Sequence, residues 1–166
     1  MDAATPDEPA RILLVDDEKV VREMLMHVLS AEGFSVRLAE DGLQAWQELQ
    51  RRSYHLVLSD LKMPHMNGLE LLQRISEGRL PVVTIIMTAF GTVETAIEAM
   101  KRGAYDYILK PFKNEDVIRV IHKALKQQKL QQENFLLKEA VTLYQLSDAM
   151  AHELSDRKST RLNSSH

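Results

Sequence analysis

Short apolar runs alternate with longer stretches of helical periodicity from residue 11 to beyond residue 112. Residues 11–15 (RILLV) predict a strand. Residues 18–32 then carry Val21, Met24, Leu25, Val28 and Leu29 at helical spacing, with Gly33 as the stop. Residues 34–39 predict a second strand in which Phe34, Val36 and Leu38 alternate with Ser35 and Arg37. A helix over 43–52, a strand over 55–59 (HLVLS), a loop over 60–68 (DLKMPHMNG) and a helix over 69–77 follow. The pattern continues with a strand over 81–87 (PVVTIIM), a helix over 92–102, a strand over 105–109 and a helix from about residue 114.

Five strand–helix repeats with short connections imply an α/β fold, a parallel sheet covered by helices on both faces. The first, third and fourth runs are continuously apolar and belong in the sheet's centre. The alternating second run belongs at an edge. Right-handed crossovers leave few arrangements, of which the flavodoxin-like strand order 2-1-3-4-5 satisfies the pattern.

The chemistry lies at the ends of those runs. The first is followed by Asp16-Asp17, the third by Asp60, the fourth by Thr88 and the fifth by Lys110. In a parallel sheet all of these lie on one edge, where open α/β sheets bind ligands. Like charges about 4 Å apart repel by roughly 4 kcal/mol at an effective dielectric near 20, so crowded carboxylates call for a cation or a raised pKa. An all-oxygen donor set suits Mg²⁺ (or Mn²⁺), and a carboxylate beside such an ion can act as a phosphoryl acceptor. Taken singly, each feature also has a structural reading. Asp16-Asp17 can cap and charge a helix start, Asp60 can be a turn residue, and Thr88 can cap the following helix. Lys110 can be a solvated lysine, and Tyr107 a half-buried strand aromatic.

Composition narrows the alternatives. The 166 residues hold no cysteine, which removes disulfides, thiolate metal sites and thiol nucleophiles. A formal charge of -3 supplies no broad drive toward nucleic acid or anionic lipid, so neither is expected as a partner of this segment. No apolar run has the length of a membrane span and residues 1–10 lack a signal-peptide core, which reads as cytoplasmic. His152-Glu153 lacks the second histidine of a zinc-peptidase helix and the Arg and Pro of a kinase phosphohistidine box; it reads as an exposed helix face. No glycine-rich phosphate loop occurs.

The strings LLVDDE (13–18), LVLSDLKMPHMNG (56–68), IIMTAFG (85–91) and YDYILKPF (105–112) resemble the receiver domains of two-component response regulators. The stretch 87–112 is especially similar to the receivers of nitrogen-regulation-type activators. The resemblance covers residues 10–128. It implies that Asp60 is the phosphoacceptor, with Thr88 and Lys110 holding the phosphoryl oxygens. It further implies that Asp17, Asp60 and the backbone carbonyl of Lys62 bind the metal, with Asp16 acting through water. Tyr107 matches the switch aromatic, and the Lys110-Pro111 bond is expected to be cis. A sensor histidine kinase is the implied partner, and the fourth helix, fifth strand and fifth helix the implied output face. Lys62 and Phe90 are the side chains expected to govern the lifetime of the phosphoryl group, Phe90 by shielding it from water.

Two other α/β readings compete. An aspartate-nucleophile phosphatase carries a second aspartate two residues after the nucleophile, where this chain has Lys62. A flavin module needs a first loop that welcomes phosphate, which Asp16-Asp17-Glu18 would repel.

Beyond Phe112 no proline or glycine occurs through Asp156. Leu130, Leu137 and Tyr144 recur at heptad spacing, with Gln127 and Asn134 at seam positions, a weak coiled-coil signal. The expected organisation is a loose segment over 1–10, a receiver domain over 11–128, an extended signalling helix over 129–156 and a disordered tail or cloning scar over 157–166. A homodimer is expected, through the fourth helix–fifth strand–fifth helix face or the C-terminal helix. The whole reads as a receiver taken from a longer regulator.

Overall fold

The computed structural model describes residues 8–89 and 91–163, with side chains described to Arg157. The chain divides into two compact units, 1–125 and 126–166. The first contains five strands: β1 (Arg11–Val15), β2 (Ser35–Ala39), β3 (Leu56–Asp60), β4 (Val83–Thr88) and β5 (Asp106–Leu109). Between them run α1 (Lys19–Ala31), α2 (Gly42–Arg51), α3 (Gly68–Glu77) and α4 (Val93–Lys101), and α5 (Asn114–Asn163) follows β5. The sheet is wholly parallel in the order β2-β1-β3-β4-β5, with the alternating strand β2 at one edge.

Period-two alternation sorts the sheet's two faces. Ile12, Leu14, Leu56, Leu58, Ile85 and Met87 pack with Leu25 and Leu29 of α1 and with Val117, Ile121 and Ala124 of α5. Leu13, Val15 and Val57 pack with Ala45 and Leu49 of α2 and with Leu71 and Ile75 of α3. Ile86 meets Leu72 and Ala99 beside them. Residues 12 to 15 of β1 are fully buried, as a strand covered on both faces must be. Met24, expected on the inward stripe of the first helix, is 43% exposed; Leu25 and Leu29 carry that contact.

Element boundaries differ from expectation where a backbone partner decides. The fourth strand begins at Val83 rather than residue 81, because Val82 N donates to Leu80 O and Val83 N is the first to reach β3's side, at His55 O. Asp60 ends β3 instead of opening the loop, its successor Leu61 still donating its N–H to Met87 O across the ladder. α5 continues to Asn163, past the expected end at Asp156, so residues 157–163 are helical rather than a disordered tail. No proline or glycine interrupts residues 114–163. In the second unit the apolar residues from Leu130 to Leu154 are exposed.

α1 closes as expected on Gly33, at φ 93°. The end of α3 is different. Gly78 keeps right-handed geometry and the left-handed position falls on Arg79, at φ 50°. A left-handed residue with a Cβ costs about 1–2 kcal/mol. Arg79→Gly is therefore expected to stabilise the protein by about 0.5–1 kcal/mol after allowing for glycine's freedom in the unfolded chain. Urea unfolding checks this, and a loss of stability would show that the Arg79 side chain outweighs its backbone strain.

Candidate functional site

Parallel register carries the chemistry-bearing residues to one edge. Val15 pairs with Ser59, Asp60 with Met87 and Thr88 with Leu109, so Asp16, Asp60, Thr88 and Lys110 lie at adjoining strand ends. The ladder extends to that edge, with Leu61 N donating to Met87 O at 3.1 Å and Lys110 N to Thr88 O at 2.9 Å. The loop after Asp60 folds back tightly. Gly68 N donates to Leu61 O at 2.8 Å and Gly42 N to Met66 O at 3.0 Å. Both glycines are required by closeness, since a Cβ at Gly68 would stand 2.4 Å from Asp60 O and one at Gly42 2.3 Å from Met66 O.

At the centre is a lysine between two aspartates. Lys110 Nζ donates to Asp16 Oδ2 at 2.9 Å and lies 3.5 Å from Asp60 Oδ2. The Asp16 side chain is fully buried, that of Asp60 9% exposed and that of Lys110 15%. Asp60 Oδ1 accepts the Leu61 N–H at 2.8 Å. Burial, and after it the negative charge of Asp16, push the Asp60 carboxyl up from 3.8 to about 6, against the opposing pull of Lys110 and the Leu61 N–H. Burial works against the Lys110 ammonium, but its bond to Asp16 and the charges of both aspartates outweigh this and raise its pKa. The peptide bond from Lys110 to Pro111 is cis.

Asp16, Asp17 and Glu18 each bring a carboxylate oxygen within 4.8 Å of the other two. Asp16 is already committed, Oδ1 accepting the Glu18 N–H at 2.9 Å and Oδ2 the Lys110 ammonium. Asp17 and Glu18 are exposed and remain available for a cation. Such a set of hard oxygen donors fits Mg²⁺ or Mn²⁺. The Asp16-Asp17 pair does not cap α1: its N-cap is Glu18, with no side-chain cap bond.

Thr88 is fully buried at the end of β4, and the cap of α4 is Thr92, not Thr88. Tyr107, half-buried on β5, has its hydroxyl 3.1 Å from Thr95 Oγ1 in the first turn of α4. It is thus tied to the α4 cap and not to the carboxylate cluster. Lys62 is exposed in the loop two residues after Asp60. Phe90 lies outside the described residues.

Two participants escaped sequence reasoning. Glu18 joins the acidic cluster, a role foreshadowed only by the uninterrupted run Asp16-Asp17-Glu18. Arg22 places Nη1 2.7 Å from the backbone oxygen of Asp16. Nothing in its position, one helical turn beyond the acidic run, marks it in advance.

Among the described residues, no helix is long and apolar enough to cross a membrane. The family model of the response regulator receiver domain matches residues 12–133. The chain is 40% identical over 125 residues to the regulatory protein AtoC of Escherichia coli K12, covering 74% of this chain and 27% of that protein. It superposes on the signal receiver domain of a putative Luxo repressor protein from Vibrio parahaemolyticus with TM-score 0.72 and 30% identity, covering 75% of this chain and 95% of that one. NtrX from Brucella abortus gives TM-score 0.71 at 37% identity, covering 75% of this chain and 28% of that one. The chain thus spans only about a quarter of the length of AtoC and of NtrX. Fold, motif order and matched residues agree: the chain belongs to the response regulator receiver domains of two-component signalling.

Proposed function

We propose that Asp60 is the phosphoacceptor of this receiver. A carboxylate oxygen of Asp60 attacks the phosphorus of a phosphohistidine on a sensor histidine kinase, or of a small acyl phosphate. The bond from phosphorus to the donor breaks, the donor leaves with its electron pair, and an acyl phosphate forms on Asp60. The observation that carries this reading is Lys110 Nζ held between Asp16 and Asp60, at 2.9 and 3.5 Å, in a buried setting. An ammonium so placed needs only to leave Asp16 for an incoming phosphoryl oxygen, and Thr88 at the neighbouring strand end supplies a hydroxyl to another.

Asp17, Asp60 and the backbone carbonyl of Lys62 would hold Mg²⁺ (or Mn²⁺), with Asp16 acting through water. The ion would neutralise charge on the transferring phosphoryl group. Phosphorylation adds about -1.5 to -2 charges at this edge. Thr88 then moves toward the phosphoryl group, and Tyr107 gives up Thr95 and turns inward. α4, β5 and α5 change the face they present, where Val93, Ile97, Met100 and Leu109 are exposed. Reversing a two-state population from rare to dominant takes about 5.5 kcal/mol, which a dianion meeting a divalent cation and an ammonium away from bulk water can supply.

On this reading the domain is a cytoplasmic signalling switch that catalyses only its own phosphorylation and dephosphorylation. It pairs with a second copy through the α4–β5–α5 face or the C-terminal helix, and itself contacts neither nucleic acid nor membrane. Lys62 and Phe90 set the lifetime of the phosphoryl group. Incubation with acetyl phosphate and Mg²⁺ followed by intact-mass measurement tests the assignment. The wild type is expected to gain one phosphoryl group that chelation or Asp60→Asn abolishes. Equal gain by Asp60→Asn would refute it.

A further inference from the structure

Asp16 is held at every polar atom. Its N–H donates to Ala39 O at 3.2 Å, its two carboxylate oxygens accept from Glu18 N and Lys110 Nζ, and its carbonyl accepts from Arg22 Nη1 at 2.7 Å. Three of these contacts are backbone geometry or belong to the lysine already discussed. The fourth comes from a helix side chain whose presence there needs a reason.

The Arg22 side chain is 11% exposed. Taking a guanidinium out of water is unfavourable unless its partners compensate. Its carboxylate partner does so poorly: Glu40 Oε1 lies 3.7 Å from Nη2 and the Glu40 side chain is 65% exposed, a long pair weakened by solvent. The short bond to the Asp16 carbonyl is the strong contact, a charge-assisted hydrogen bond to a neutral acceptor. That bond fixes the peptide joining Asp16 to Asp17. The plane of this peptide sets where both carboxylates stand, and these are two of the three oxygens that converge within 4.8 Å. Carboxylates left free to move would spread apart under their own repulsion.

We propose that Arg22 is a positioning residue of the phosphorylation site, clamping the Asp16 carbonyl so that Asp16 and Asp17 stay converged for the cation. This rests on the cation-dependent reading above. A half-buried positive charge also opposes cation binding, so the two possible actions of Arg22 have opposite signs. If it acts only as a charge, removing it tightens cation binding. If it clamps, removing it loosens binding even though repulsion has been relieved.

Mn²⁺ titration followed by electron paramagnetic resonance separates them, with the whole chain as wild type, Arg22→Met and Arg22→Lys. Arg22→Met keeps much of the apolar stem and loses the donor. Arg22→Lys keeps the charge and a donor group. The expected result is Mn²⁺ affinity about tenfold weaker in Arg22→Met and at least partly restored in Arg22→Lys, with phosphoryl uptake from acetyl phosphate slowed in the same order. Binding by folded Arg22→Met equal to or tighter than wild type overturns the proposal. Should Arg22→Met not fold, Arg22→Leu, which likewise lacks a donor, is read by the same criterion. If the wild type itself binds no Mn²⁺, the cation reading of the site falls, and the role given to Arg22 falls with it. If the wild type binds and only the Arg22 variants are indifferent, the clamp alone is wrong.

Discussion

Gly68→Ala is expected to destabilise the receiver by about 3 kcal/mol and to slow phosphoryl uptake by about tenfold or more. The methyl group would stand 2.4 Å from Asp60 O and 3.1 Å from Leu61 Cα, both backbone atoms of the strand end that presents the acceptor. No side-chain rotation can relieve such a clash. Either α3 retreats, opening its contact through Leu71 and Leu72, or the end of β3 shifts and carries the Asp60 carboxylate away from Lys110. The variant therefore loses stability and function together. Urea unfolding and the rate of phosphorylation by acetyl phosphate read the two effects. A Gly68→Ala variant as stable and as fast as wild type would mean that the approach of the loop to Asp60 is not tight.

Asp60→Asn is expected to stabilise the metal-free protein well above pH 6, by about 2–3 kcal/mol, while ending phosphorylation. The Asp60 carboxyl loses its proton near 3.8 when unfolded and at about 6 when folded. Below about pH 4 it is protonated in both states and makes no difference. Between about 4 and 6 the folded state keeps a proton that the unfolded state has lost, so stability falls as pH rises through that window and stays lower above it. The gap between the two values corresponds to about 3 kcal/mol, which local relaxation reduces. Asparagine removes the penalty. The advantage of Asp60→Asn in urea unfolding should vanish below about pH 4 and shrink in saturating Mg²⁺, which stabilises the wild type by binding its ionised site. An asparagine variant less stable than wild type well above pH 6 would show that the bond to Lys110 outweighs the burial of charge.

The fold was legible because period-two burial and helical periodicity are local signals. Continuous apolar runs marked β1, β3 and β4 as central, and alternation marked β2 as an edge. The site was legible at the level of which residues share an edge, since each closes or follows a strand and the sheet is parallel. Contacts set by side-chain reach across the fold were not. Lys110 sits nearer to Asp16, 94 positions away along the chain, than to Asp60, and no spacing rule could have ranked the two. Arg22 was invisible because its partner is a backbone carbonyl, which leaves no trace in residue types. Arg79 in a left-handed turn was hidden by the neighbouring Gly78, the residue a C-terminal stop signal would select. The length of α5 was underestimated because polar residues after Arg157 carry no breaker, and helices end on breakers more sharply than on polarity.

The central claim, that Asp60 receives the phosphoryl group in a cleft shared with Lys110 and the acidic cluster, is tested most directly by locating the modified residue. The protein is phosphorylated with acetyl phosphate and Mg²⁺, reduced with borohydride to convert phosphoaspartate to homoserine, and digested for peptide mass spectrometry. Homoserine at position 60, absent without Mg²⁺ and strongly diminished by Lys110→Ala, is the expected result. Homoserine at another aspartate, or none at all under conditions that phosphorylate a known receiver, would contradict it.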